Sequence, residues 1–172
     1  KHEKFHFTGP IPLFIHSESE WMYVEISEEI NLAEIHPVLS RNFPDGLKLL
    51  SLKTLDAVPA HKPAENPPSA YRLDFADKSV CEKSLSLLLD APEEIAYERI
   101  SRKKKHKRQK LRNVTRRLSS AMKVVSSGEN FIRLELEAPD RGAISLADLL
   151  SKYLGLPQAV WNTAVTITRL AQ

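Results

Sequence analysis

The chain has 172 residues, 42% of them hydrophobic, which is enough to bury a core and excludes a disordered protein. Its net charge of +3 is unevenly laid out: between Arg99 and Gly128 stand twelve Lys or Arg and no Asp or Glu, which leaves −9 for the remainder. One cysteine, Cys81, excludes an internal disulfide framework, and without a long apolar run or a charged-then-apolar N-terminal segment nothing points to secretion or to a membrane. A reducing cytoplasm is the expected setting. The chain starts at "KHEKFHF" without Met, and it is expected to be a segment of something longer.

From the N-terminus, "KHEKFHF" supplies strand material and "WMYVEIS" reads as a strand. "NLAEIHPVLSRNF" predicts a helix, with Asn31 as its cap and Leu32, Ile35, Leu39 and Phe43 at helical spacing despite Pro37. "LKLLSLKTL", bounded by "FPDG" and Pro59, predicts a mostly buried strand, although its alternation is imperfect. "AVPAHKPAENPPSA" is too rich in proline for regular structure and marks a linker.

Past the linker the order recurs. A strand "AYRLDF", a helix "KSVCEKSLSLLLDA" capped by Asp77 and a strand "EIAYERIS" are followed by a strand "NFIRLELEA". A helix "SLADLLSKYLG", capped by Ser145 and ended at Gly155, and a strand "AVTITRL" complete the series. Residues 69–171 thus spell β-α-β-β-α-β, the ferredoxin-like order, in which two helices cover one face of an antiparallel sheet. The period of Leu85, Leu88, Leu146, Leu149 and Leu150 places helices 78–90 and 145–154 on that face. The predicted class is α+β: tandem ferredoxin-like modules with antiparallel sheets, the first truncated. Residues 1–56 form the partial strand-helix-strand module, 57–68 the linker, and 69–172 the complete module with a basic hairpin at 99–128.

Within that hairpin, "RKKKHKRQK" lacks apolar periodicity and predicts a mobile loop. In "LRNVTRRLSSAMKVV" the residues Leu111, Val114, Leu118, Ala121, Met122 and Val125 approximate helical spacing, while the Val, Thr and Ser content suits a twisted strand; both readings stay open. Charge runs are commonly no more than solubilising tips. Twelve cations without one intervening acid repel one another, however, and a polyanion relieves that repulsion. The candidate nucleic-acid-binding residues are Arg102, Lys103, Lys104, Lys105, Lys107, Arg108, Lys110, Arg112, Arg116 and Arg117. Arg suits bidentate phosphate contacts, and the Lys cluster supplies field and on-rate.

Other residues point away from catalysis. His2, His6 and His16 have no carboxylate or cysteine at ligand spacing. Glu18, Glu20 and Glu25 read as solvated strand ends, because Glu20 and Glu25 have opposite strand parity. The five glycines build no phosphate loop. Cys81 shares an apolar helix side with Leu85 and Leu88, as a packing thiol does. Trp21 and Tyr23 have one strand parity, which suits base stacking but more commonly means core. No catalytic residue and no metal ligand is assigned, and no cofactor is expected in this chain.

"FTGPIPLFIHSESEWMYVEI" followed by "FPDGLKLL" resembles the pattern of prokaryotic radical-SAM-associated domains of unknown function. The matching residues are Pro10, Pro12, Leu13, Ser19, Glu20, Trp21, Met22, Val24, Glu25, Pro44, Gly46 and Leu47, and "ISLADLLSKYLGL" and "AVTITRL" fit the closing helix and strand. Phe14 stands where a Gly is usual, and the N-terminal β-α segment is absent. The resemblance implies a domain fused behind, or encoded near, a radical SAM enzyme, and a connection to RNA, with ribosomal RNA or tRNA as candidate ligands. A radical SAM cluster needs three cysteinates in a short loop, so with Cys81 alone that chemistry belongs to another domain or protein.

The leading expectation is a non-catalytic RNA-binding or substrate-presenting domain serving a radical SAM partner. An RNA-processing or RNA-modifying enzyme in its own right and a protein–protein adaptor are the alternatives.

Overall fold

The computed structural model describes residues 4–7, 15–18, 22–25, 30–55, 68–102, 109–139 and 142–171. The chain divides into two compact units, one of residues 1–10 and 19–65, the other of residues 11–18 and 66–172.

In the first unit, β1 (Lys4–Phe7) pairs antiparallel with β3 (Met22–Glu25). The intervening β2 (Ile15–Ser17) belongs to the second unit. Helix α1 (Leu32–Asn42) begins where its cap was expected: the Asn31 side chain accepts from the Ala33 amide at 3.1 Å, one of the orphan donors of a helix start. Past the helix, the Leu47 amide donates to the Pro44 carbonyl at 3.1 Å and closes a turn that only Gly46, at φ +89°, fits without strain. The expected strand at 47–55 does not form. These residues have no regular secondary structure, and Leu47, Leu50 and Leu55 are exposed. A strand exists only with a partner for its backbone groups, and none among the described residues pairs with this stretch.

The second unit is built on a five-stranded sheet in the order β2-β9-β4-β8-β7. Its members besides β2 are β4 (Ser69–Phe75), β7 (Met122–Ser127), β8 (Phe131–Leu136) and β9 (Val165–Arg169). Adjacent pairs are antiparallel except β2 with β9, which is parallel. Without β2, the order last-first-third-second is that of a ferredoxin-like module. Alternation sends one side inward: Leu73 pairs with Ile132 and Ile167, and all three are fully buried. Helix α2 (Lys78–Leu89), capped by Asp77, adds Cys81 and Leu88 to the same core. Helix α3 (Leu146–Asp148), capped by Ser145, runs on into a π turn, Leu149–Tyr153, and adds Leu146, Leu149 and Leu150. The two helices meet where the Tyr153 hydroxyl donates to the Leu87 carbonyl at 2.7 Å, so both lie on one face as the periodicity predicts.

One expectation is corrected. The strand at "EIAYERIS" is not the second strand of the sheet. It is β5 (Glu94–Arg102), which pairs only with β6 (Gln109–Arg117) in a separate two-stranded hairpin, and β7 takes its place. The inward side of β5 is apolar at Ile95 and Tyr97 but charged by Arg99, so it cannot line a core along its length. The stretch 111–125, which left helix and strand open, resolves into β6, a 3₁₀ turn at Ser119–Ala121 and the start of β7.

Candidate nucleic-acid interface

The β5–β6 hairpin is an arm. Nine register pairs run from Glu94↔Arg117 to Arg102↔Gln109, which at roughly 3.4 Å per residue gives a length of about 27 Å. Its base is tied to the core by backbone. The amide of Leu118, which is fully buried, donates to the Glu93 carbonyl at 2.8 Å; the Arg117 amide donates to Gly142 and the Ile144 amide to Arg117, each at 3.1 Å.

Strand alternation sorts the arm's charges. One face carries the pairs Ile95↔Arg116, Tyr97↔Val114 and Arg99↔Arg112; the other carries Glu94↔Arg117 and Glu98↔Asn113. The acids therefore sit on one side and three arginines, Arg99, Arg112 and Arg116, on the other. Arg99 and Arg112 are exposed and directly opposite, and neither makes an ion pair among the described residues. Like charges placed so are destabilising unless an anion joins them. Arg117, on the acidic face, is held by Glu137 at 2.8 Å.

The root of the arginine face is fastened by a polar contact. The Tyr97 hydroxyl donates to Asp148 Oδ2 at 2.8 Å, and the Ser145 hydroxyl donates to the same oxygen at 2.7 Å. Burial, with the hydrogen bond to Asp148 and its negative charge adding, pushes the Tyr97 phenol from the ordinary 10 up to about 12, while Arg116 and Arg99 draw it back. An unfolded chain ionises this tyrosine first, so the contribution of Tyr97 to stability is full below pH 10 and lost between pH 10 and 12. Tyr97→Phe is expected to cost about 1–2 kcal/mol at neutral pH. The gap in thermal midpoint between wild type and variant should close as pH rises through that window; a constant gap across it would show that Tyr97 only packs.

Of the ten residues singled out from the sequence, Lys103, Lys104, Lys105, Lys107 and Arg108 lie outside the described residues. Arg102 and Lys110 stand at the outer end of the arm, in register with Gln109 and Ser101. Arg112 and Arg116 share a face, and Arg117 is on the other. Arg99 was missed as a partner of Arg112, because only the hairpin register puts them side by side. Tyr97, Ser145 and Asp148 were missed too: their contact joins residues 51 apart. The base-stacking candidate Trp21 lies outside the described residues, as do His2 and Glu20; Tyr23 is in β3, in register with His6. Residues 57–67 of the expected linker are likewise outside them. His16 and Glu18 are exposed, and the Glu18 carboxylate accepts from the Ala171 amide at 2.9 Å. Cys81 is buried, which pushes its thiol up, with the charge of Glu82 adding. That is a packing thiol rather than a nucleophile. No helix among the described residues is long and apolar enough to cross a membrane.

The family described as an uncharacterized protein conserved in bacteria, DUF2344, matches residues 1–145, and the chain belongs to it. The curated proteins give no match.

Proposed function

We propose that this DUF2344 protein is a non-catalytic domain that binds RNA, or presents an RNA substrate, for a radical SAM enzyme in the cytoplasm, with the β5–β6 arm as its main phosphate contact. The observation that carries the reading is the arm's arginine face: Arg99 and Arg112 are exposed and directly opposite, Arg116 lies on the same face beyond the Tyr97↔Val114 pair, and neither described strand of the arm places an acid on that side, the carboxylate of Asp148 reaching it only at the root. The arm stands outside the core sheet, and Arg99 and Arg112 make no ion pair among the described residues. It also leads into the densest cationic run in the sequence, residues 102–110. Phosphates relieve the repulsion, and the released counterions drive association whatever the base sequence. The radical SAM partner is inferred from the motif resemblance. Its cluster would be held by that partner, since this chain has one cysteine.

The test is a fluorescence-anisotropy titration of a labelled single-stranded RNA at several salt concentrations. Affinity is expected to fall linearly in log–log form, by roughly 0.7 per phosphate contact. Absence of binding, or binding indifferent to salt, overturns the reading. An acidic polypeptide that displaces the RNA and binds more tightly would favour a protein adaptor.

A further inference from the structure

The inward side of the five-stranded sheet is covered by helices α2 and α3, but the opposite side carries an arrangement that the core does not require. Outward-facing Arg72 of β4 lies over the ring of Phe131 of β8, its guanidinium carbon 4.3 Å from the ring centroid. Asp74, two residues on and on the same face, holds the guanidinium edge-on. Nε donates to Oδ1 at 2.8 Å and to Oδ2 at 2.9 Å, and Nη2 lies 2.8 Å from Oδ1. Underneath, the ring packs so close to Gly128 that a methyl group there would run into its edge. Phe131 is thus held between Gly128 and Arg72, and the guanidinium is fixed by the ring it lies over and by the carboxylate beside it. The Arg72 side chain is 41% exposed.

A second arginine adjoins this plane. Arg133 is in register directly opposite Arg72, is exposed, and makes no ion pair among the described residues. The same register row runs on through Thr168 of β9 to His16 of β2. It is a polar line across the sheet, at right angles to the strands. Asp74 already balances the charge of Arg72, which leaves Arg133 as the exposed cation of this row that makes no ion pair among the described residues. A guanidinium fixed in place and 41% exposed is a surface on which an unpaired base can stack, as it stacks on an aromatic ring.

We infer that the open face of the sheet is a second RNA contact, one that takes unpaired nucleotides, with a base stacked on Arg72 and the adjoining phosphate held by Arg133. The inference deepens the RNA-binding reading and rests on it. The arm gathers phosphates without regard to structure, whereas this face selects single strands, because a base inside a duplex has no face to offer. Asp74 serves as a positioning residue, holding the Arg72 plane.

The probe is a labelled ten-nucleotide adenine RNA, set against a blunt RNA duplex carrying the same label. Arg72→Lys keeps the charge but loses the plane, and is expected to weaken single-strand binding by about five- to a hundred-fold, with an unchanged salt slope and unchanged duplex binding. Phe131→Leu, which keeps an apolar contact in the sheet, should do the same. Arg133→Gln should instead make the slope shallower by roughly 0.7. Thermal midpoints at or near wild type exclude misfolding as the cause. Single-strand affinity indifferent to both Arg72→Lys and Phe131→Leu, while still dependent on the arm, overturns the face and leaves the arm standing. Single-strand binding that survives neutralisation of the arm yet needs Arg72 supports the face and overturns the arm's leading role. No RNA binding by wild type overturns both.

Discussion

Replacing Lys103, Lys104, Lys105, Lys107, Arg108 and Lys110 together by Gln is expected to remove most of the salt dependence of RNA binding. If the six each neutralise a phosphate, they account for a slope of roughly −4. Those six alone should cost wild type affinity on the order of a hundred- to a thousand-fold between about 50 and 200 mM salt. The six-site variant should bind more weakly, with a slope shallower by about 4, for every RNA sequence alike, because phosphate contacts carry no sequence information. A second variant with Arg99→Gln, Arg112→Gln and Arg116→Gln isolates the arm's described face, and should flatten the slope by about 2. The six residues show no apolar periodicity, so the melting temperature of the six-site variant should match that of wild type. Superimposable salt slopes for wild type and both variants would mean that the arm is only a solubilising tip.

Leu73→Ala is the substitution expected to cost most in stability. Leu73 is fully buried between Ile132 and Ile167 on the central strand, and truncating it leaves a cavity in the core. Such changes cost about 2–5 kcal/mol, a large share of the roughly 5–15 kcal/mol that holds a domain together. For a unit of this size the thermal midpoint should drop by about ten to thirty degrees. Leu111→Ala is the control. Leu111 is on the arm and 60% exposed, so its loss should stay within about 0.5 kcal/mol. Scanning calorimetry separates the two cases. Equal costs would show that the arm is part of the core, as the sequence reading had placed its first strand.

Local chemistry was legible in the sequence. Asn31, Asp77 and Ser145 cap the three helices where they were expected, because a cap is a contact between a side chain and an amide two or three residues away. The packing side of the two later helices was legible for the same kind of reason: Leu88, Leu146, Leu149 and Leu150, read from their helical spacing, are buried in the core. Pairing was not legible. "LKLLSLKTL" has the composition of a buried strand but no partner, and "EIAYERIS" has a partner other than the one expected.

The sequence by itself determined that the chain is α+β, where its helices start, which side of the two later helices packs inward, and that one stretch holds twelve cations and no acid. Those properties depend on residues a few positions apart. Only the tertiary structure decided that this stretch divides between a separate hairpin and the sheet strand β7, that Arg99 faces Arg112, that Tyr97 fastens the arm to Asp148, and that Arg72 lies over Phe131. Each of these joins residues 13 to 59 positions apart. Strand period assigns a side chain to a face, but the burial and hydrogen bonding that choose the neighbouring strand are settled by the whole chain at once.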